Sequence, residues 1–87
     1  NTLGVAQYRS GRWQDAVDSL ERSIALRSGG SSEDFFFLAM AQWQLNQREL
    51  ARRTYATAIE WMMKNAPHHP ELIRFRAEAA ELLGVDE

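Results

Sequence analysis

The chain has no cysteine, which excludes a disulfide framework and a thiolate metal site and leaves the redox compartment open, with the cytoplasm as the default. No apolar run approaches the roughly 20 residues that span a bilayer, and no signal-peptide pattern opens the chain, so no membrane partner is expected. A dominant sign of charge is missing too. Ten Lys and Arg stand against 12 Asp and Glu, a formal net charge of -2, and the signs are interspersed. There is no acidic tail, and no basic stripe for a phosphate backbone, so nucleic acid is not an expected partner. Catalytic signatures are absent as well. There is no HExxH and no Ser, His and Asp at a nucleophile spacing, and Gly29-Gly30 lacks the following Lys and preceding strand of a phosphate loop. In 87 residues much of the surface stays in water, and an active-site cleft with its own supporting shell is hard to build beside a core. The expectation is a chain that is not an enzyme and takes no cofactor.

What is present is a globular composition, 45% hydrophobic and 25% charged, in a pattern that is helical throughout with no strand. Leu3, Val5, Ala6 and Tyr8 give a first helix over residues 2–9, and Gly11 offers the left-handed residue that ends it. Trp13, Ala16, Val17, Leu20 and Ile24 recur at three and four residues in a second helix. Gly29 and Gly30 release the chain. Ser31 or Ser32 then caps a third helix that carries Glu33 and Asp34 in its first turn and runs to about Leu45. Asn46, tolerant of the left-handed region, takes the hinge before a fourth helix over about 47–65. Pro70 and Glu71 suit the first turn of a fifth, which ends at Gly84. The chain opens on Asn with no cap before the first helix, which reads as a segment excised or processed from a longer protein.

The first two helices and the next two superimpose in register. A shift of 35 residues takes Leu3 to Leu38, Gly4 to Ala39, Tyr8 to Trp43, Gly11 to Asn46, Ala16 to Ala51, Leu20 to Tyr55 and Ile24 to Ile59. Small residues at Gly4/Ala39 and Ala16/Ala51 allow close helix approach, and the large Leu20/Tyr55 fill the gap beyond. This is a repeated helical hairpin.

In Leu3-Gly4, Tyr8, Gly11, Trp13, Ala16 and Leu20, and again in Leu38-Ala39, Trp43, Asn46, Ala51, Tyr55 and Ala58, the sequence resembles the tetratricopeptide repeat family. The strings LGVAQYRSGRW and FFFLAMAQWQL are similar to bacterial arrays appended to large multidomain proteins. The resemblance covers about residues 1–65. Departures are Ser23 in place of the usual Ala, no Pro closing the first unit, and one residue more than the family period of about 34, placed in the 28–32 loop. The implied fold is all-α: antiparallel hairpins stacked as a short solenoid of about five helices, in a single domain over residues 1–87. Repeat one occupies 1–28, repeat two 32–65, and a C-terminal capping helix 70–84.

Candidate chemistry is sparse. His68-His69 with Glu71 has the residue types of a zinc site, but adjacent histidines point apart and no third ligand from another helix can be named, so they read as loop and helix-cap residues and no metal is expected. Arg48, Glu49, Arg52 and Arg53 form a local basic cluster that reads as a solvated face, with a phosphate or acidic-peptide contact as the alternative. Glu71, Arg74 and Glu78 read as surface ion pairs. Helix three is more apolar than one buried stripe requires. Phe35, Leu38, Ala39, Gln42 and Leu45 match the family's packing positions, leaving Phe36, Met40 and Trp43 at i, i+4 and i+7 on an adjoining face. By resemblance that face lines a concave groove, with those three partly exposed between helices one and five; by composition alone it is equally a core stripe.

The expected function is a non-catalytic protein-interaction module whose concave face, formed by Val5, Tyr8, Arg9, Phe36, Met40, Trp43 and Gln44, receives a peptide segment or partner domain. Family members that clamp a C-terminal carboxylate carry Lys and Asn in the groove, where this chain has Val5, Arg9, Met40 and Gln44. The alternative is a structural array segment used for stacking or homo-oligomerisation. In either case Leu3, Val5 and Trp13, at the open end of the array, predict association of copies.

Overall fold

In the computed structural model, which describes residues 2–26 and 32–84, every periodic segment is a helix: α1 Thr2–Arg9, α2 Trp13–Leu26, α3 Ser32–Gln44, α4 Arg48–Asn65 and α5 Pro70–Leu83. There is no strand among the described residues, and the fold is all-α. None of these helices is long and apolar enough to cross a membrane. The expectations for Gly29, Gly30, Ser31 and the extra loop residue lie outside the described residues.

The helices end where backbone chemistry lets them. Gly11 and Asn46 adopt φ of 81° and 66°, the left-handed region that closes a helix at its C′ position. At the first hinge the Gly11 amide donates to the Tyr8 carbonyl at 3.0 Å and the Arg12 amide to that of Gln7 at 2.9 Å. At the second, 35 residues on, Asn46 donates to Trp43 at 3.0 Å and Gln47 to Gln42 at 2.9 Å. Both are Schellman turns, with the 5→2 and 6→1 bonds that satisfy carbonyls otherwise orphaned at a helix end. Gly84, at φ 70°, closes α5, and Pro70 opens it where a missing N–H is harmless.

Each turn folds its two helices back antiparallel. In the first hairpin Gly4 lies directly against Leu20; a Cβ there would fall 2.6 Å from Leu20 Cγ, so only glycine allows the approach. A polar pair locks the same face, the Ser19 hydroxyl donating to Gln7 Oε1 at 2.6 Å. The equivalent pair recurs 35 residues later, where Thr54 donates to Gln42 Oε1 at 2.7 Å. In the second hairpin Ser32 does not cap its helix; as the first residue of α3 it donates to the Ala58 carbonyl at 2.9 Å and ties α3 to α4.

Between the hairpins, α2 packs on α3. The Ser23 hydroxyl, at the position where the resemblance leads one to expect Ala, donates to Asp34 Oδ2 at 3.1 Å, both residues being buried. A small polar side chain here partners a buried carboxylate, whose other oxygen, Oδ1, has no hydrogen-bond partner among the described residues. Helix α3 touches all four other helices. That explains its unbroken apolar run over residues 35–41: a segment surrounded by neighbours has no face to leave polar.

Candidate binding recess between α1, α3 and α5

Helices α1 and α5 both pack on α3, yet among the described residues they make no close backbone approach to each other. The two flank one face of α3 and mark a candidate recess, at whose base Phe37 is buried, 1% exposed. The Tyr8 ring meets Phe37 edge-on at 5.7 Å between centroids, and Phe75 of α5 meets it from the other side at 4.9 Å. Such edge-to-face contacts favour the negative ring face against the positive ring edge.

Above this aromatic floor Arg9 reaches from α1 to Glu78 of α5. The pair is bidentate, with Arg9 Nη2 donating to Glu78 Oε1 at 3.0 Å and Nη1 to Oε2. The same guanidinium lies 5.2 Å from the Phe37 centroid and 5.9 Å from that of Tyr8, within the range of cation–π attraction. Glu78 raises the Arg9 pKa further above its ordinary value, chiefly by this hydrogen bond. The side chains remain 51% and 36% exposed, so the pair spans the recess while open to solvent. Burial pushes the Tyr8 pKa up; hydrogen bonding by the Gln44 side chain and the charge of Arg9 oppose that shift, and the charge of Glu78 adds to it.

Of the residues assigned to the concave face from sequence, the structure brings Tyr8, Arg9 and Gln44 together, with half-buried Val5 one turn before Tyr8 on α1. Phe36 and Met40 require correction. Both are 0% exposed, so neither is a partly exposed groove residue. Phe36 turns toward α4, its ring 5.9 Å from that of Tyr55. The physical reason is the central position of α3: a face unassigned in a single hairpin is taken up once neighbours surround the helix. Trp43 is half-buried but is engaged on the α4 side, beneath Arg48 and Arg52 at 4.7 and 5.6 Å from its ring centroid. Leu38 is buried as expected, and Phe35 is half-buried beside Thr57 and Trp61 of α4.

Three members of the recess escaped the sequence reading: Phe37, Phe75 and Glu78. In the run Phe35-Phe36-Phe37 no periodicity distinguishes the three, although the first two meet α4 and the third meets α1 and α5. Glu78 was expected to pair locally with Arg74 and instead meets a residue 69 positions away. The signal that could have found it is the lone cation Arg9 at the end of an otherwise uncharged α1. His69 stands at the N-cap of α5 without a side-chain cap bond, and among the described residues no three His, Cys, Asp or Glu side chains converge as metal ligands.

No protein-family model, curated protein or solved structure matches the chain. The face between α1 and α5 therefore presents both signs of charge, from Arg9 and Glu78, beside half-buried Tyr8, Gln44 and Phe75 and above a buried Phe37.

Proposed function

We propose that this chain is a non-catalytic protein-interaction module made of two tetratricopeptide-like hairpins closed by α5. It receives a peptide segment or partner domain in the recess between α1, α3 and α5. The observation that carries this reading is the recurrence, at 35 residues, of the same Schellman turn and the same hydroxyl–amide pair. Identical hairpins stacked in register generate an extended face lined by the first helix of each unit, and such faces serve as binding surfaces in helical arrays. Here that face holds Val5, Tyr8, Arg9, Gln44, Phe75 and Glu78, the half-buried Tyr8 and Phe75 supplying contact area over a buried Phe37 and the Arg9–Glu78 pair supplying charge to read.

The test is selection of peptides from a random display library on the immobilised protein, followed by affinity measurement on Arg9→Ala and Glu78→Ala. Both variants remove partly exposed side chains and leave the helical signal intact. Binding weakened about tenfold or more in either variant supports the recess; unchanged affinity in both refutes it.

A second reading, a structural segment that stacks on copies of itself, is favoured by the outer hairpin, where Leu3 and Leu26 are 62% and 79% exposed. Sedimentation over a concentration series decides it. Self-association lost in Leu3→Lys/Leu26→Lys supports stacking, and a strict monomer excludes it.

A further inference from the structure

The basic cluster at the start of α4 is more ordered than a solvated face requires. Arg48 and Arg52, one turn apart, both lie over the indole of Trp43 in the last turn of α3, at 4.7 and 5.6 Å from its ring centroid. Both arginines are exposed, and Trp43 is half-buried. Glu49, the acidic member of the cluster, reaches Arg53 instead, at 3.8 Å. Among the described residues no carboxylate pairs with Arg48 or Arg52. Stability alone does not account for this arrangement. One guanidinium over an indole is attractive, but like charges at i and i+4 repel, and a cation in the first turn opposes the helix dipole. Arg52 alone would cover the ring without either cost.

We propose that Arg48, Arg52 and Trp43 form a site for one phosphorylated side chain of a partner polypeptide. A phosphate monoester carries about −1.5 to −2 charges near neutral pH and three strong acceptor oxygens, which two guanidinium groups match in charge and in donors. A carboxylate, with one charge and two oxygens, fills a single guanidinium fork. Contact with the ring restrains each arginine without using its N–H donors, so less freedom is lost when an anion binds. Arginine clusters recognise phosphorylated peptides in this way. Two cations are too few to hold a nucleic-acid backbone, whose binding rests on many phosphate contacts. The site uses neither Arg9 nor Glu78, so it stands or falls independently of the recess.

The experiment follows the indole N–H signals of the ¹⁵N-labelled protein at fixed ionic strength and about pH 7.5, where the phosphate is mainly dianionic. N-acetyl-phosphoserine amide is added, with N-acetyl-glutamate amide, inorganic phosphate and a short oligothymidylate as comparisons. The Trp43 signal, assigned with Trp43→Phe, is expected to shift saturably with the phosphoserine probe, which binds more tightly than any of the three. In Arg48→Gln and in Arg52→Gln, each of which changes an exposed side chain, the Kd is expected to rise at least about threefold with the helical signal unchanged. A Trp43 signal that stays still, a comparison probe that binds as tightly as phosphoserine, or a smaller rise in either variant overturns the proposal.

Discussion

Replacing Gly4 with Ala sets helix propensity against packing, and the structure decides which wins. Alanine is favoured over glycine inside a helix by about 1 kcal/mol, so propensity alone predicts a more stable protein. The added Cβ, however, would stand 2.6 Å from Leu20 Cγ and 2.7 Å from Cδ2, where carbon atoms settle at about 3.5–4.0 Å. Relief requires a shift of about 1 Å. Leu20 is fully buried in the core, where close-packed neighbours must shift with it. Overpacking of this kind costs about 1–3 kcal/mol, which offsets the propensity gain and leaves a net loss of up to about 2 kcal/mol. For a domain of this size that lowers Tm by up to about 15 °C. The assay is thermal and urea unfolding of Gly4→Ala, Leu20→Ala and the double variant. Leu20→Ala alone should cost about 2–5 kcal/mol, and the double variant should cost less than the sum, because the new methyl occupies part of the vacated space. A Gly4→Ala protein that melts higher than the parent would refute the close α1–α2 approach on which the first hairpin depends.

Phe36→Ala and Met40→Ala, both in fully buried positions, should cost about 2–5 kcal/mol each; a loss below about 1 kcal/mol in urea unfolding would return them to an exposed face. Asn46, at φ 66°, should gain about 0.5–1 kcal/mol on replacement by Gly, whereas Gly11→Ala, whose Cβ would meet no atom within 4 Å, should lose about 1 kcal/mol from backbone strain alone. Equal melting temperatures across parent, Asn46→Gly and Gly11→Ala would contradict the left-handed hinges. Burial raises the Tyr8 pKa above its ordinary value of 10.0, so folding favours the protonated phenol. That stabilisation is complete below the unfolded pKa and is lost as pH rises through the folded one. Stability should therefore fall above about pH 10, and less steeply in Tyr8→Phe; parallel curves for the two proteins would show that Tyr8 is not the group responsible.

The ends of the helices were the most legible part of this chain. Gly11, Asn46, Pro70 and Gly84 act through local backbone preference, and each stands where its conformational freedom or lack of an N–H is used. The 35-residue register was equally readable, because it compares the chain with itself. What it did not expose was the pairing of Gln7 with Ser19 and of Gln42 with Thr54. Polar residues at helical spacing ordinarily read as solvent-facing, and only the partner helix reveals that these are not. Helix α3 was the hardest to assign for a related reason. Amphipathic periodicity reports which face meets solvent, and a helix enclosed by four others has no such face. Phe36, expected on the groove face, therefore packs on Tyr55, and Phe37, given no role from sequence, packs between Tyr8 and Phe75. The Arg9–Glu78 bridge was illegible for a third reason, since it depends on how α1 and α5 are placed across α3.

The central claim, that the recess is the binding surface, is tested most directly by chemical-shift mapping of the ¹⁵N-labelled chain with a display-selected peptide. Perturbations should concentrate at Tyr8, Arg9, Gln44 and Glu78, with the half-buried Phe75 ring giving contacts to the peptide, while the signals of the buried Phe36 and Met40 change little. Shifts confined to Leu3, Leu26 and the rest of the outer hairpin, with those four residues silent, would contradict it.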